Sequence, residues 1–261
     1  MTKPGGWANS LATDVKVSVL FCTRVPLPHS APIDGGDVAR ASWAFPLAGA
    51  LVGGAGALAY VTALAVKLPP AIAATLSLAT TLVLTGCLHE DGLADAADGF
   101  GGGRYRERKL EIMRDSRLGT YGACALMMSL MLRWSAVFAI ASPLPVALAL
   151  VAAHVSGRAA LPAFMRFVPP ARPEGLSAQA GQPTARRAAV ATLLGVSMLG
   201  MALGPAATMI GVALAASAWL CMAWLSMRQI GGQTGDVAGA LEQIIEIAIL
   251  LTAVVMGSTQ P

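Results

Sequence analysis

Three aspartates hold the clearest chemical signal in the chain. In His89-Glu90-Asp91-Gly92-Leu93-Ala94-Asp95-Ala96-Ala97-Asp98-Gly99 they stand at i, i+4 and i+7. On a helix that spacing places Asp91, Asp95 and Asp98 on one face. Ala94, Ala96 and Ala97 suit a helix, and the glycines from Gly99 to Gly103 are expected to end it. Two carboxylates about 6 Å apart repel by roughly 3 kcal/mol at an effective dielectric near 20. Such a face calls for protons or a cation, and all-oxygen donors select hard divalent ions, Mg²⁺ or Mn²⁺. The competing reading is a solvated acidic helix end balanced by Arg104, Arg106, Arg108 and Lys109.

A second acidic pair follows at Glu111 and Asp115, again i, i+4, able to add ligands or a general base. Arg104, Arg114 and Arg117 surround it, and guanidinium forks match phosphate oxygens. Acidic faces beside a basic cluster are the inventory of metal-assisted phosphoryl transfer. No G-x-x-x-x-G-K-[ST] loop is present, and Arg104 stands where a G-x-G-x-x-G run starting at Gly99 needs its last glycine. Asp236, in a Thr-Gly-Asp turn, either joins this site or caps a helix.

The elements that position these groups are expected to be transmembrane helices. Of 261 residues, 56% are hydrophobic and 12% charged, about half the charge of a soluble domain. Runs of roughly 20 apolar residues cross the hydrocarbon. Seven spans are expected: Trp43–Val66, Ala71–Leu88, Tyr121–Ala141, Pro145–Pro162, Ala188–Leu203, Pro205–Met227 and Val237–Met256. Val15–Cys22 is too short to span and leads into Arg24 and Pro26 without a cleavage-site pattern. The fold class is all-α, one polytopic bundle over residues 1–261 with an Asp-rich segment at 89–122.

All but three of the 18 Lys and Arg fall in alternate loops. By the positive-inside rule those loops and the N-terminus are cytoplasmic, and Lys67 alone marks the opposite side. The basic balance is thus a topology signal, with no nucleic-acid partner implied. Arg133 and Arg158 lie within expected spans. Arg158 is close enough to an end to snorkel, while Arg133 is expected to face the bundle or a polar cavity. His154 reads as a partnered bundle histidine. The four scattered cysteines suggest neither disulfides nor zinc. Gly49–Gly56 reads as close helix packing.

Several separated blocks together resemble the cobalamin synthase family, the adenosylcobinamide-GDP ribazoletransferases. They are Phe21-Cys22-Thr23-Arg24-Val25-Pro26-Leu27-Pro28, Phe45-Pro46-Leu47-Ala48-Gly49, the Asp-rich run Gly86 to Gly99, Glu111-Ile112-Met113-Arg114-Asp115-Ser116 through Gly119-Thr120-Tyr121-Gly122, and Gly231-Gly232-Gln233-Thr234-Gly235-Asp236. The resemblance implies an α-helical bundle in the bacterial cytoplasmic (inner) membrane, with the site facing the cytoplasm and Mg²⁺ required. It implies that adenosylcobinamide-GDP is joined to α-ribazole or its 5′-phosphate, releasing GMP. On that reading Asp91, Asp95 and Asp98 bind metal, with Asp95 and Asp98 also catalytic. Asp115 is the base or a further ligand, and Arg104, Arg114, Arg117 and Asp236 contact substrate. A homo-oligomer, or association with other cobalamin-assembly enzymes, is compatible with it.

Two rivals are separable. A CDP-alcohol phosphotransferase wants D-x-x-D-G-x-x-A-R. Asp95-Ala96-Ala97-Asp98-Gly99 meets its start, but Gly102 and Gly103 replace Ala-Arg. A cation or metabolite transporter would gather polar residues at the midplane on broken helices with repeated halves. The expectation here is that the acids crowd one membrane face, and no repeat is visible.

Overall fold

The computed structural model describes residues 7–28 and 33–257, apart from the side chains of 7–10, 176 and 177. Lys3 and the C-terminal tail fall outside the described residues. The described chain is all-α. Its helices are α1 (Trp7–Cys22), α2 (Gly35–Ala41), α3 (Phe45–Ala65), α4 (Pro70–Thr85), α5 (Leu88–Gly102), α6 (Arg106–Ile112), α7 (Thr120–Ile140), α8 (Pro143–Phe167), α9 (Leu176–Gln179), α10 (Ala185–Ile230) and α11 (Gly235–Gly257). A short 3₁₀ turn, Ser42–Ala44, makes α2 and α3 nearly continuous.

Among the described residues five helices are long and apolar enough to cross a membrane, or six if α4 and α5 count as one bent span. α10 is 46 residues, about 69 Å, twice the hydrocarbon thickness. It breaks at Gly204 (φ 80°, ψ 174°), a backbone that favours glycine, with Pro205 following. A Cβ on Gly211 would lie 3.2 Å from Leu199, and one on Gly200 3.5 Å from Thr208, so the two halves fold back on each other. The expected seven is reached only when α10 counts twice and the bent pair once.

Side-chain contacts fix which ends meet. Ile140, Ser142, Leu203 and Val254 line one cavity, so those four helix ends lie together. Tyr60 donates to the Ala141 carbonyl there at 2.8 Å. At the other end Arg106 donates to the carbonyls of Ile230 (2.8 Å) and Ala171 (2.6 Å). Loops 103–119, 168–184 and 231–234 thus share one face of the bundle. α1 is a 16-residue helix, about 24 Å. It is tied by Asp14, which accepts from Arg40 (2.8 Å) and from the Trp43 indole (2.9 Å).

Small residues set the helix spacing, as expected for Gly49–Gly56. A Cβ on Gly53 would sit 2.6 Å from the Leu150 carbonyl oxygen, and one on Gly49 would run into the His154 carbonyl, whereas Gly54 has open space. Gly49→Ala and Gly53→Ala should therefore force α3 off α8 and lower stability in detergent by about 1–3 kcal/mol, the range for overpacking. Gly54→Ala should be neutral or slightly stabilising. Thermal unfolding of the three variants checks the contrast.

Candidate active site

α5 enters its position through two successive left-handed residues, Gly86 (φ 63°) and Cys87 (φ 58°), which turn the chain 86° from α4. It then crosses α11 at Gly92 and Gly239. A Cβ on Gly92 would lie 2.9 Å from the Asp236 carbonyl oxygen, and one on Gly239 3.3 Å from the Gly92 Cα. That backbone-to-backbone approach brings the acidic face of α5 alongside the start of α11. Asp91 and Asp236 line one cleft. The charges of Asp91, Asp236 and Asp98 all act on Asp95.

Burial grades along the face: Asp91 is exposed, Asp95 half-buried and Asp98 buried. Asp98 turns toward the N-terminus of α7, where Oδ2 accepts from the Gly119 N–H (2.7 Å) and Oδ1 from the Gly122 N–H (2.9 Å). A carboxylate satisfies the unpaired amides and the positive dipole end of a helix there. Asp98 thus fastens α5 to α7, while Asp91 and Asp95 face Asp236. The glycine run does end α5, as expected, but at Gly102 and Gly103 rather than at its first glycine. Gly99 is where Met113 packs close, and Lys109 reaches back to donate to the Phe100 carbonyl at 2.9 Å, so the helix runs on to Gly102.

Asp236 sits in the first turn of α11, but the cap is Thr234, whose hydroxyl oxygen accepts from the Val237 N–H (3.3 Å) and donates to Asp236 Oδ2 (3.1 Å). Thr234 is held by a short backbone bridge. The Gln233 N–H donates to the Pro169 carbonyl, and the Ala171 N–H to that of Gln233, both at 2.8 Å. The same strap places Arg172 Nη2 3.8 Å from Asp236 Oδ2. Sequence reading counts Arg172 only as one more loop cation. Its single signal is its place two residues beyond Pro169-Pro170, which no local pattern connects to Asp236.

The second acidic segment is arranged differently from expectation. α6 ends at Ile112, so Glu111 and Asp115 do not share a helix face, nor do Arg114 and Arg117. Glu111 pairs with Arg108 at 3.0 Å. Asp115 accepts from Arg117 Nη2 (2.6 Å), Arg117 Nε (3.0 Å) and the Arg117 N–H (3.1 Å). That guanidinium holds the Asp115 carboxyl down at about 2, below the usual carboxylate range. So weak a base accepts a proton poorly at neutral pH. Arg114 pairs with Glu174 at 3.2 Å, and Arg104 is exposed.

Beneath α5 lies a buried charge network. Arg133 (α7) donates through Nη1 to Glu90 Oε1 (2.9 Å) and Glu246 Oε1 (3.1 Å). Arg158 (α8) donates to Glu242 Oε1 at 2.5 Å. His154 Nδ1 lies 3.0 Å from Glu246 Oε2, and His89 Nδ1 3.5 Å from Glu242 Oε2. Gln243 bridges Glu90 (3.2 Å) and Glu242 (3.1 Å) and accepts from Ser129 (3.0 Å). Each charged member is at most 7% exposed. Arg158 therefore does not snorkel; it is paired in the interior. Glu242 and Glu246 also correct the expectation that the acids crowd one face.

No motif of the sequence marks those two glutamates as partners of the buried arginines. Their signal is an i, i+4 pair inside an otherwise apolar span, with two unpaired arginines and a histidine in neighbouring spans to balance it. Among the described residues, His154, Glu242 and Glu246 are the one set whose ligand-type atoms come within 4.8 Å of one another. Arg133 and Arg158 already neutralise that set, so it reads as an ion-pair core.

The family described as Cobalamin-5-phosphate synthase matches residues 14–254. A protein from Bradyrhizobium diazoefficiens named Adenosylcobinamide-GDP ribazoletransferase is 57% identical over 244 residues, 94% of each chain. Relatives of the same name from Mesorhizobium japonicum (48%, 92% of each chain) and Ralstonia nicotianae (42%, 90% of this chain and 92% of the relative) are similar along nearly all their length. No solved structure matches.

Removing one member of a buried ion pair strands the other, at a cost of about 3–5 kcal/mol. Glu242→Leu and Arg158→Leu should each accordingly unfold at markedly lower temperature, whereas the double variant Glu242→Leu/Arg158→Leu should recover part of the loss. A double-mutant cycle by thermal unfolding measures it. Equal, additive losses would mean the pair is not coupled.

Proposed function

Because the chain belongs to the cobalamin-5-phosphate synthase family, we propose that it is an adenosylcobinamide-GDP ribazoletransferase, and that the carboxylates at the α5–α11 crossing are its reaction centre. The reaction is the final assembly of the nucleotide loop of cobalamin. A ribose hydroxyl of α-ribazole, or of its 5′-phosphate, forms a new bond to the cobinamide-linked phosphorus of adenosylcobinamide-GDP. The bond from that phosphorus to the GMP oxygen breaks, and the hydroxyl proton passes to a carboxylate. The observation that carries the site assignment is the approach of α5 and α11 at Gly92 and Gly239, which sets Asp91 and Asp95 against Asp236.

A hard divalent cation, Mg²⁺, suits this donor set. Asp91, Asp95 and Asp236 offer carboxylate oxygens with few competing cations, Arg172 being the nearby one. When bound there it would neutralise pyrophosphate charge and the leaving GMP. Asp98 supports this centre indirectly, since both its oxygens already accept backbone amides. Asp95 is a better proton acceptor than Asp115, whose carboxylate is tied up by Arg117. Arg172 is the first pyrophosphate contact we assign. Arg104, Arg114 and Arg117 are further ones, the last two on exchanging their present partners Glu174 and Asp115.

The Lys and Arg partition supports placing this face in the cytoplasm and the bundle in the inner membrane. On that topology Gly101→Cys should resist a membrane-impermeant thiol reagent added from outside, while Ser142→Cys should react. The reverse pattern would overturn the orientation. Purified protein given adenosylcobinamide-GDP, α-ribazole and Mg²⁺ should form adenosylcobalamin and GMP in equal amounts. Asp91→Asn and Asp95→Asn should each lower kcat by about 100-fold or more, the scale for losing one preorganised electrostatic group, with thermal stability unchanged. Near-normal turnover in both would remove the site.

A further inference from the structure

A cleft opens beside the acidic face, between the junction of α1 with α3 and the facing ends of α8 and α11. We propose that it holds the benzimidazole base of α-ribazole, so that the attacking ribose comes to rest beside Asp91 and Asp236. This rests on the reaction assigned above and adds which substrate lies on which side of the carboxylates.

The walls are apolar. Phe21 and Phe45 stack with centroids 5.5 Å apart and planes 8° from parallel. Leu161 and Met165 of α8 line the same cleft. Besides the carboxylates and His89, one polar residue belongs to this lining. It is Gln233, 2% exposed, whose Oε1 has no hydrogen-bond partner. Both backbone groups of Gln233 are tied to Pro169 and Ala171, so its backbone is held in place while its side-chain amide keeps an unmatched oxygen. Asp91 and Asp236 form the charged part of the cleft.

Such a cleft selects a ligand that is flat and apolar at one end and carries hydroxyls at the other. Guanine has several donors and acceptors on its edges; with Asp91 and Asp236 engaged by the cation and the ribose, one amide is left to answer them, and burial would leave most unpaired. Dimethylbenzimidazole has two methyl groups, an aromatic face and one ring nitrogen acceptor. A half-turn of the Gln233 amide interchanges its oxygen and nitrogen and presents an N–H to that nitrogen. Stacked phenylalanines and a methionine suit the ring face and the methyls.

Two measurements test this. In steady-state kinetics, Phe21→Ala and Gln233→Leu should each raise KM for α-ribazole by tenfold or more and leave KM for adenosylcobinamide-GDP within twofold. Ala180 is a buried lining residue. Alkylation of an Ala180→Cys variant in detergent, followed at that cysteine by peptide mapping, should be slowed by α-ribazole alone and not by GMP. This second arm needs no turnover. A KM rise for adenosylcobinamide-GDP instead, or protection by GMP and none by α-ribazole, would overturn the proposal and give the cleft to the nucleotide. An Asp91→Asn variant with near-normal turnover would defeat the reaction-centre reading. An inactive Asp91→Asn with no α-ribazole protection would defeat the base pocket alone.

Discussion

Charge placed within a hydrocarbon-solvated bundle must find its opposite, and this structure is organised by how that is done. A charge at the bilayer centre costs about 2.5–3.5 kcal/mol on insertion scales. Three glutamates, two arginines and two histidines share one buried cluster contributed by α5, α7, α8 and α11. Because Glu90 and His89 supply the α5 part, the helix that carries the aspartates is fixed at its deep end by partners on three others. Such a cluster is weak as a source of stability compared with apolar packing, yet it penalises every arrangement that unpairs it. Register is what it specifies here.

With the deep end of α5 fixed, two further contacts set the rest. Gly92 against Gly239 lets the backbones of α5 and α11 meet without intervening side chains. Asp98 at the α7 amides fixes the other end. Asp91 and Asp95 are left between these anchors, neither used for packing, opposite Asp236. Carboxylates so crowded and so little compensated are unfavourable without a cation, and pyrophosphate chemistry uses one. The proposed metal centre follows from this imbalance: the buried cluster is matched with arginines and the cleft-facing one is not.

Local periodicity made much of this legible. The i, i+4, i+7 aspartates, the apolar runs and the loop cations are each short-range patterns, and the helices fall where those patterns lie. The bundle class and the Asp-bearing face of α5 follow from them. Three things did not. Which glycine of the run ends α5 depends on Lys109 and Met113, which pack back against Phe100 and Gly99. Arg172 meets Asp236 only through a strap joining segments some sixty residues apart. The separation of Asp98 from Asp91 and Asp95 is invisible to spacing, since all three share a face and only the neighbouring α7 differs. Glu242 and Glu246 were readable in principle, because three basic or ionisable side chains in other spans demanded partners.

The most direct test of the account is where a divalent ion goes when substrate is present. A structure determined with adenosylcobinamide-GDP and Mn²⁺, with the metal located by its anomalous scattering, would decide it. The account predicts Mn²⁺ among Asp91, Asp95 and Asp236, against the pyrophosphate, with the Arg133 and Arg158 pairs intact. Mn²⁺ at His154, Glu242 and Glu246, with those arginines displaced, would contradict it.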